Sequence, residues 1–282
     1  DTHFAGGRVK TQKGGMGGVI GGMFGGEATG WLSTYIESEY STTDPEYSAL
    51  AGSTKGSECK GVGGVIGQMG DQKTDAGKVV NIYVNTMVLR FEEDFALLSG
   101  TSSVGGVLGQ CETINGRIDN ITVKSMDEQT THKFVIKPTV KTAFDVGGLI
   151  GYMLSPLPDD LKALNIDITV EADRYVGGWI GGFDGTLKGD YDVEGVKSVT
   201  GRLGVGGVIG GMGVFNNGGQ IDGTINVNLD GATIRSTSEG GVGGVIGFMG
   251  NPENLKTSSI ESKINGKINV TLSDTEISGV SN

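Results

Sequence analysis

The chain has 282 residues, of which only 36% are hydrophobic and 53 are glycine, far above the usual glycine content of about 7%. Its formal net charge of −11 excludes the basic surface that nucleic-acid binding needs, and no apolar run approaches the roughly 18 to 20 residues of a membrane-spanning helix. The glycines lack a strict every-third spacing and the segments between them are not low in complexity, which excludes collagen-like and disordered readings.

In chain order, the sequence begins at Asp1 without a methionine, which is the expectation for a removed signal peptide or a trimmed start. The first element is the octet MGGVIGGM at Met16–Met23. Close copies follow at 62–69, 104–111, 146–153, 176–183, 205–212 and 242–249, with glycine at the second, third and sixth positions each time. Their starts lie 46, 42, 42, 30, 29 and 37 residues apart, a period that marks a solenoid, propeller or array. Taken as one strand, each octet has two apolar faces, so it is expected to be buried on both sides. Its glycines then mark close approach of a neighbouring backbone, and Gly63, Gly64, Gly67, Gly206, Gly207, Gly210, Gly243, Gly244 and Gly247 form a packing spine. A helix with three glycines in eight residues would lose roughly 2 to 3 kcal/mol relative to alanine.

Cys59 lies three residues before the second octet, and Gly61-Val62-Gly63 with Gly67 superficially resembles a nucleotide loop. Such a loop occurs once, between a strand and a helix, whereas this pattern recurs without helices, so no cofactor is expected. After the octet, Val80, Ile82 and Val84 alternate with Asn81 and Tyr83 as a strand buried on one side. Phe91 to Leu98, closed by Gly100, could form a short helix, and Glu92-Glu93-Asp94 reads as a solvated acidic run rather than an acid/base pair. Cys111 fills the last position of the third octet, where other copies have Met or Phe. If octets two and three are parallel and in register, the two cysteines are ten positions, roughly 33 Å, apart, well beyond the 7 Å reach of a disulfide. A bridge between subunits, Cys59 to Cys111 of a neighbour, is then preferred over an internal one.

Asn115-Gly116 signals a turn and Asn120-Ile121-Thr122 is a glycosylation sequon. His3 and His132 are the only histidines, with no cysteine or carboxylate cluster near them at a metal-ligand spacing, so no metal site is expected. Asp159 to Leu164 could form a second short helical turn, and Asp159-Asp160 is read as its solvated start. Ile166, Ile168 and Val170 form the next alternating strand, followed by Ile225, Val227 and Leu229, and by Ile268, Val270 and Leu272. Asp230-Gly231 and Asn265-Gly266 supply turns, and Asn269-Val270-Thr271 is a second sequon. All five prolines (Pro45, Pro138, Pro156, Pro158 and Pro252) fall outside the octets, as expected if octets hydrogen-bond on both edges. Neither end carries an evident helical cap.

The expected fold is therefore all-β, a glycine-rich solenoid-like stack of about seven irregular repeats in one domain spanning 1–282. The run Val-Gly-Gly-Val/Leu-Ile-Gly, followed by a polar stretch and an alternating strand, resembles the GLUG-type glycine-rich repeat of bacterial and archaeal surface proteins, with unusually uneven spacers. A chain made almost wholly of such repeats is also similar in character to the amyloid-like sheath proteins of filamentous methanogens. These resemblances imply a non-enzymatic structural subunit at the cell surface or outside it, with itself as principal partner and other surface components as further ones. An adhesive or carbohydrate-binding repeat region is the second expectation. A polysaccharide-cleaving solenoid ranks last, because no carboxylate or Arg/Lys cluster repeats across adjacent copies.

Overall fold

The computed structural model describes residues 2–4, 9–10, 14–37, 50–51, 60–71, 81–98, 100–138, 140–215, 218–238, 240–250 and 261–280. Among them there is no helix, and all strand pairing is parallel. The chain is a solenoid-like β stack in which each octet opens a new rung.

The octet is not one strand, as its unbroken apolar character suggests, but two limbs joined by a bend at positions three and four. In the second rung, strand Lys60–Gly63 ends at Gly64 and Val65, and strand Ile66–Met69 resumes the chain. First limbs from all seven rungs form one seven-stranded sheet and second limbs form another. Register is uniform: Val62 lies between Met16 and Val104, and Ile66 between Ile20 and Leu108, a pattern that continues to Val242 and Ile246. Parallel neighbours that match residue for residue place each apolar position above its equivalent. Val62, Val65, Ile66 and Met69 are wholly buried and belong to a continuous core running from Met16 to Val245.

The uneven spacers are absorbed outside the octet columns. Rungs with long spacers carry the strands Gly26–Ile36, Ile82–Phe91 and Gly116–Ser125, which with Asp160–Leu164 and Thr2–Phe4 make a five-stranded sheet. In the last three rungs this wall is split into two three-stranded sheets, one of which stacks Asp190–Val193, Thr224–Asp230 and Lys267–Ser273. A six-stranded sheet that includes His132–Ile136 and Ile166–Glu171 completes the coil.

Both short helical segments expected from the sequence are strands. Phe95–Leu97 pairs with Phe134–Ile136, and Phe91, Phe95 and Phe134 stack with centroids 5.0 to 5.9 Å apart, so ring stacking between rungs overrides the local pattern. Asp160–Leu164 is a strand on Asn120 to Lys124, with Leu161 buried and Asp160 and Lys162 joined by an ion pair 2.8 Å long. The alternating strands occur as expected, with Ile166, Ile168 and Val170 buried, and likewise Ile225, Val227 and Leu229. Ile82 and Val84 are buried too, whereas Val80, Pro45 and Pro252 lie outside the described residues.

Candidate assembly interface

The octet glycines are explained by how the two limbs meet. A Cβ placed on Gly63 would fall 2.5 Å from Val107 O and 2.6 Å from Gly109 N, in the second limb of the next rung. One placed on Gly67 would fall 2.6 Å from Gly21 O and 2.7 Å from Gly61 O. Gly206 and Gly210 repeat this geometry, the latter 2.7 Å from Gly181 O. The limbs thus pack backbone against backbone, with no room for a side chain at the second or sixth position. Position-three glycines sit at the bend, against a carbonyl of the next rung and a core side chain: Leu229 Cδ1 would be 3.2 Å from a Cβ on Gly207. Gly64 crowds Leu89 in the same way, and Gly244 crowds Ile277 Cδ1 at 3.0 Å. Gly243 and Gly247 keep the pattern in the last rung within its own octet and toward the rung before.

Residues preceding each octet form a column that the sequence did not single out. Gly61, Ser103, Asp145, Tyr175 and Gly204 all have positive φ, between 51° and 71°. Where the contact is resolved, this position lies against octet position seven of the next rung. Gly15 meets Gln68, Gly61 meets Gln110, Asp145 meets Gly182, Tyr175 meets Gly211 and Gly204 meets Phe248. In these pairs a glycine on one side leaves room for the residue on the other, while at the equivalent positions of the third and fourth rungs, Ser103 and Tyr152, neither residue is glycine. The signal was present as the residue immediately before each octet.

The bend carries its own hydrogen-bond ladder, and it runs one way. Gly64 N donates to Gly106 O (2.8 Å), while Val65 N and Ile66 N both donate to Val107 O (2.9 and 3.1 Å). The same three N–H groups donate across every consecutive pair of rungs, the position-three N–H reaching the position-three carbonyl in the first three junctions and the position-two carbonyl in the last three, which end with Gly207 N to Gly243 O, and Val208 N and Ile209 N to Val245 O. At the bend the earlier rung donates and the later one accepts, whereas just past each octet the direction reverses, as in Gly70 N to Met23 O and Gly250 N to Met212 O.

Among the described residues, the first and last rungs leave core columns exposed. Leu272 lies above Leu229 and is 52% exposed where Leu229 is 0%; Val270 above Val227 is 43% against 3%; Met249 above Met212 is 45% against 0%. Ile264 and Ile277 are exposed above the buried Ile221 and Ile234. At the other end Phe24 and Trp31 are exposed, and Val19, Ile20 and Met23 are only partly covered. Thr2–Phe4 covers Thr34 to Ile36 there, but among the described residues no strand lies before the first octet in either octet sheet.

Other residues of interest lie apart from these ends. Cys111 is fully buried, with Sγ 3.1 Å from Ser155 Oγ, and burial pushes its thiol pKa up. A bridge from Cys111 to a neighbouring subunit would require it to leave the core, and the straight ten-position spacing that favoured such a bridge does not apply to a bent octet. Cys59 lies outside the described residues. Asn120 directs its amide to Asn85 O and Thr86 Oγ1, and Asn269 donates to Asn226 Oδ1 at 2.7 Å, so both sequon amides are engaged within strands. His3 pairs with Glu37 at 2.9 Å and His132 faces Asp94, and among the described residues no group of three or more His, Cys, Asp or Glu is placed to hold a metal ion.

Two polar clusters stand out. On the outer wall, Asp119 accepts from Tyr83 OH (2.7 Å) and Arg117 Nε (2.8 Å), and the Tyr83 hydrogen bond above all lowers its pKa. Beneath the outer surface of the octet sheet, Tyr152 donates to Asp184, which also holds the Val214 and Phe215 amides at 2.8 and 2.9 Å. Asp145 is buried beside them with Oδ1 unpartnered; burial, then the charge of Asp184, drive its pKa well above the usual carboxylate range.

No helix of the described residues is long and apolar enough to cross a membrane, which leaves β-barrel spans unaddressed. No family model, curated protein or solved structure matches the chain.

Proposed function

We propose that this chain is a structural subunit that assembles through the ends of its β stack into an extracellular sheath, filament or wall layer. The observation that carries this reading is the last rung, where Val270, Leu272 and Met249 continue columns that are buried one rung earlier. Such a surface pairs apolar side chains with free strand edges, a combination that recruits further strands. Another parallel rung would bury both at once. The GLUG-like repetition and the similarity in character to sheath proteins agree with a surface location. The ladder is non-covalent in this reading, since Cys111 is committed to the core.

Sedimentation velocity over a range of concentrations, followed by electron microscopy, tests the proposal. The expected outcome is concentration-dependent growth into unbranched polymers that resist heat and detergent. Because subunits of charge −11 repel one another, growth should strengthen as salt is raised. A chain that stays monomeric at high concentration and in high salt overturns it.

A second reading, an adhesive or carbohydrate-binding surface, is favoured by one observation. The outer wall carries the ordered Tyr83, Arg117 and Asp119 group, with Trp31 73% exposed on the same sheet. Glycan-array binding that is lost in Trp31→Ala would support it.

A further inference from the structure

We propose that assembly is polar, with the last octet of one copy donating to the first octet of the next, and with the octet columns continuing in register across the junction. This rests on the assembly reading above and adds its direction, its partner surface and its register.

The direction follows from the bend ladder. At all six junctions inside the chain, the N–H groups of octet positions three, four and five donate to carbonyls of the later rung. The seventh octet therefore presents Gly244, Val245 and Ile246 N–H groups with no later octet above them, and the first octet presents Gly18 and Val19 carbonyls with no earlier octet below them. One end is a donor surface at the bend and the other an acceptor surface. Tail against tail would oppose donors to donors, and head against head acceptors to acceptors, leaving buried backbone groups unpaired at a penalty on both sides. Head against tail in register pairs the bend donors with the bend acceptors, and it also sets Phe24 N–H against Met249 O, the reverse bond found just past each octet inside the chain.

The side chains fit the same arrangement. Continuing the internal register sets Val242 beside Met16, Ile246 beside Ile20, Phe248 beside Gly22 and Met249 beside Met23, apolar against apolar or glycine throughout. The column before the octets can continue across the junction as well. The residue before the last octet, Gly241, would meet position seven of the first, Gly22. Both are glycine, so neither brings a side chain to this contact. A head-to-tail contact of this kind does not close on itself, so it generates an open linear polymer rather than a dimer.

The test is disulfide trapping between separately made chains that each carry one introduced cysteine, in a Cys59→Ser background that keeps the buried Cys111. Gly22→Cys goes in one chain and Phe248→Cys in the other; Met23→Cys and Met249→Cys form a second pair in case Gly22→Cys disturbs Phe24. In-register parallel neighbours lie about 4.8 Å apart, within disulfide reach. Under mild oxidation, a mixture of the two chains should give at least about tenfold more covalent dimer than either alone. Dimer from Phe248→Cys alone, or from Gly22→Cys alone, overturns the polarity. Polymers visible by electron microscopy but uncrosslinked in both mixtures overturn the register while leaving assembly intact. Absence of both polymers and crosslinks overturns assembly itself.

Discussion

A valine side chain at Gly207 would be driven into Leu229 and the Gly244 carbonyl, and one at Gly210 into the backbone of Tyr175 and Val176 and the Gly181 carbonyl. The backbone atoms met in each case are fixed by hydrogen bonds between rungs, so they have little freedom to retreat. Gly207→Val and Gly210→Val should each destabilise the fold by about 3 kcal/mol or more, the upper range for overpacking, whereas Gln68→Ala at position seven should cost under about 1.5 kcal/mol. Chemical denaturation of the three variants checks this; equal tolerance would contradict the packed-limb geometry. Asp145 is the other residue whose surroundings dictate a measurable effect. Its folded pKa is raised by burial and by Asp184, with Arg174 opposing. Above the ordinary carboxyl range of about 4 the unfolded chain gives up this proton while the folded chain retains it, so stability falls as pH rises, by up to about 1.4 kcal/mol per pH unit. Asp145→Asn keeps the positive φ that asparagine tolerates, and should raise stability at neutral pH and flatten this slope. Urea unfolding of both proteins between pH 4 and 8 reads the difference directly.

Among the elements, the strands of the last three rungs show how stacking supplies what a single strand lacks. Thr224–Asp230 and Lys267–Ser273 have the same alternation and are paired over their whole length, and a side-chain ladder runs from Asp192 through Asn226 to Asn269. Yet Thr224–Asp230 is enclosed between two neighbours, whereas Lys267–Ser273 has a partner on one edge only. In a stack where each rung contacts only its neighbours, such a terminal strand opens first. Hydrogen exchange of dilute, unpolymerised protein should therefore show faster exchange at Ile268 to Leu272 than at Ile225 to Leu229. Protection of the first set should rise on polymerisation. Equal protection of both in the dilute state would mean that the terminal strand is already covered.

On the scale of the molecule, the same rule that holds rungs together leaves the ends unfinished. Seven octets in register provide a continuous core from chain segments that are individually poor in apolar side chains, because close backbone packing replaces side-chain bulk in the limbs. Octet starts 29 to 46 residues apart are accommodated by lengthening or splitting the outer wall, so the octet columns stay in register while the cross-section changes along the stack. The donors at one end of the bend column and the acceptors at its other end follow from every bend bonding the next in the same sense. An unbroken parallel stack has no symmetric way to finish, and a further copy in the same sense continues it.

The glycine-marked repeat, read as a sequence, determined the all-β stack, its seven units and the alternating strands beyond the octets, because side-chain period and glycine position are local properties of the chain. Gly63, Gly64 and Gly67 were legible as a spine for the same reason. That each octet bends into two limbs was not legible, since Val-Gly-Gly-Val-Ile-Gly is apolar throughout and local pattern cannot distinguish a straight buried strand from an arch. The strand identity of Phe95–Leu97 and Asp160–Leu164 was likewise decided by pairing with other rungs, where ring stacking and edge hydrogen bonds outweigh weak local helix preference. The burial of Cys111, the raised pKa of Asp145 and the one-way ladder at the bend depend on which rung lies above and which below. Only the tertiary structure fixes that order, because it brings together residues some 30 to 46 positions apart and gives each junction its direction.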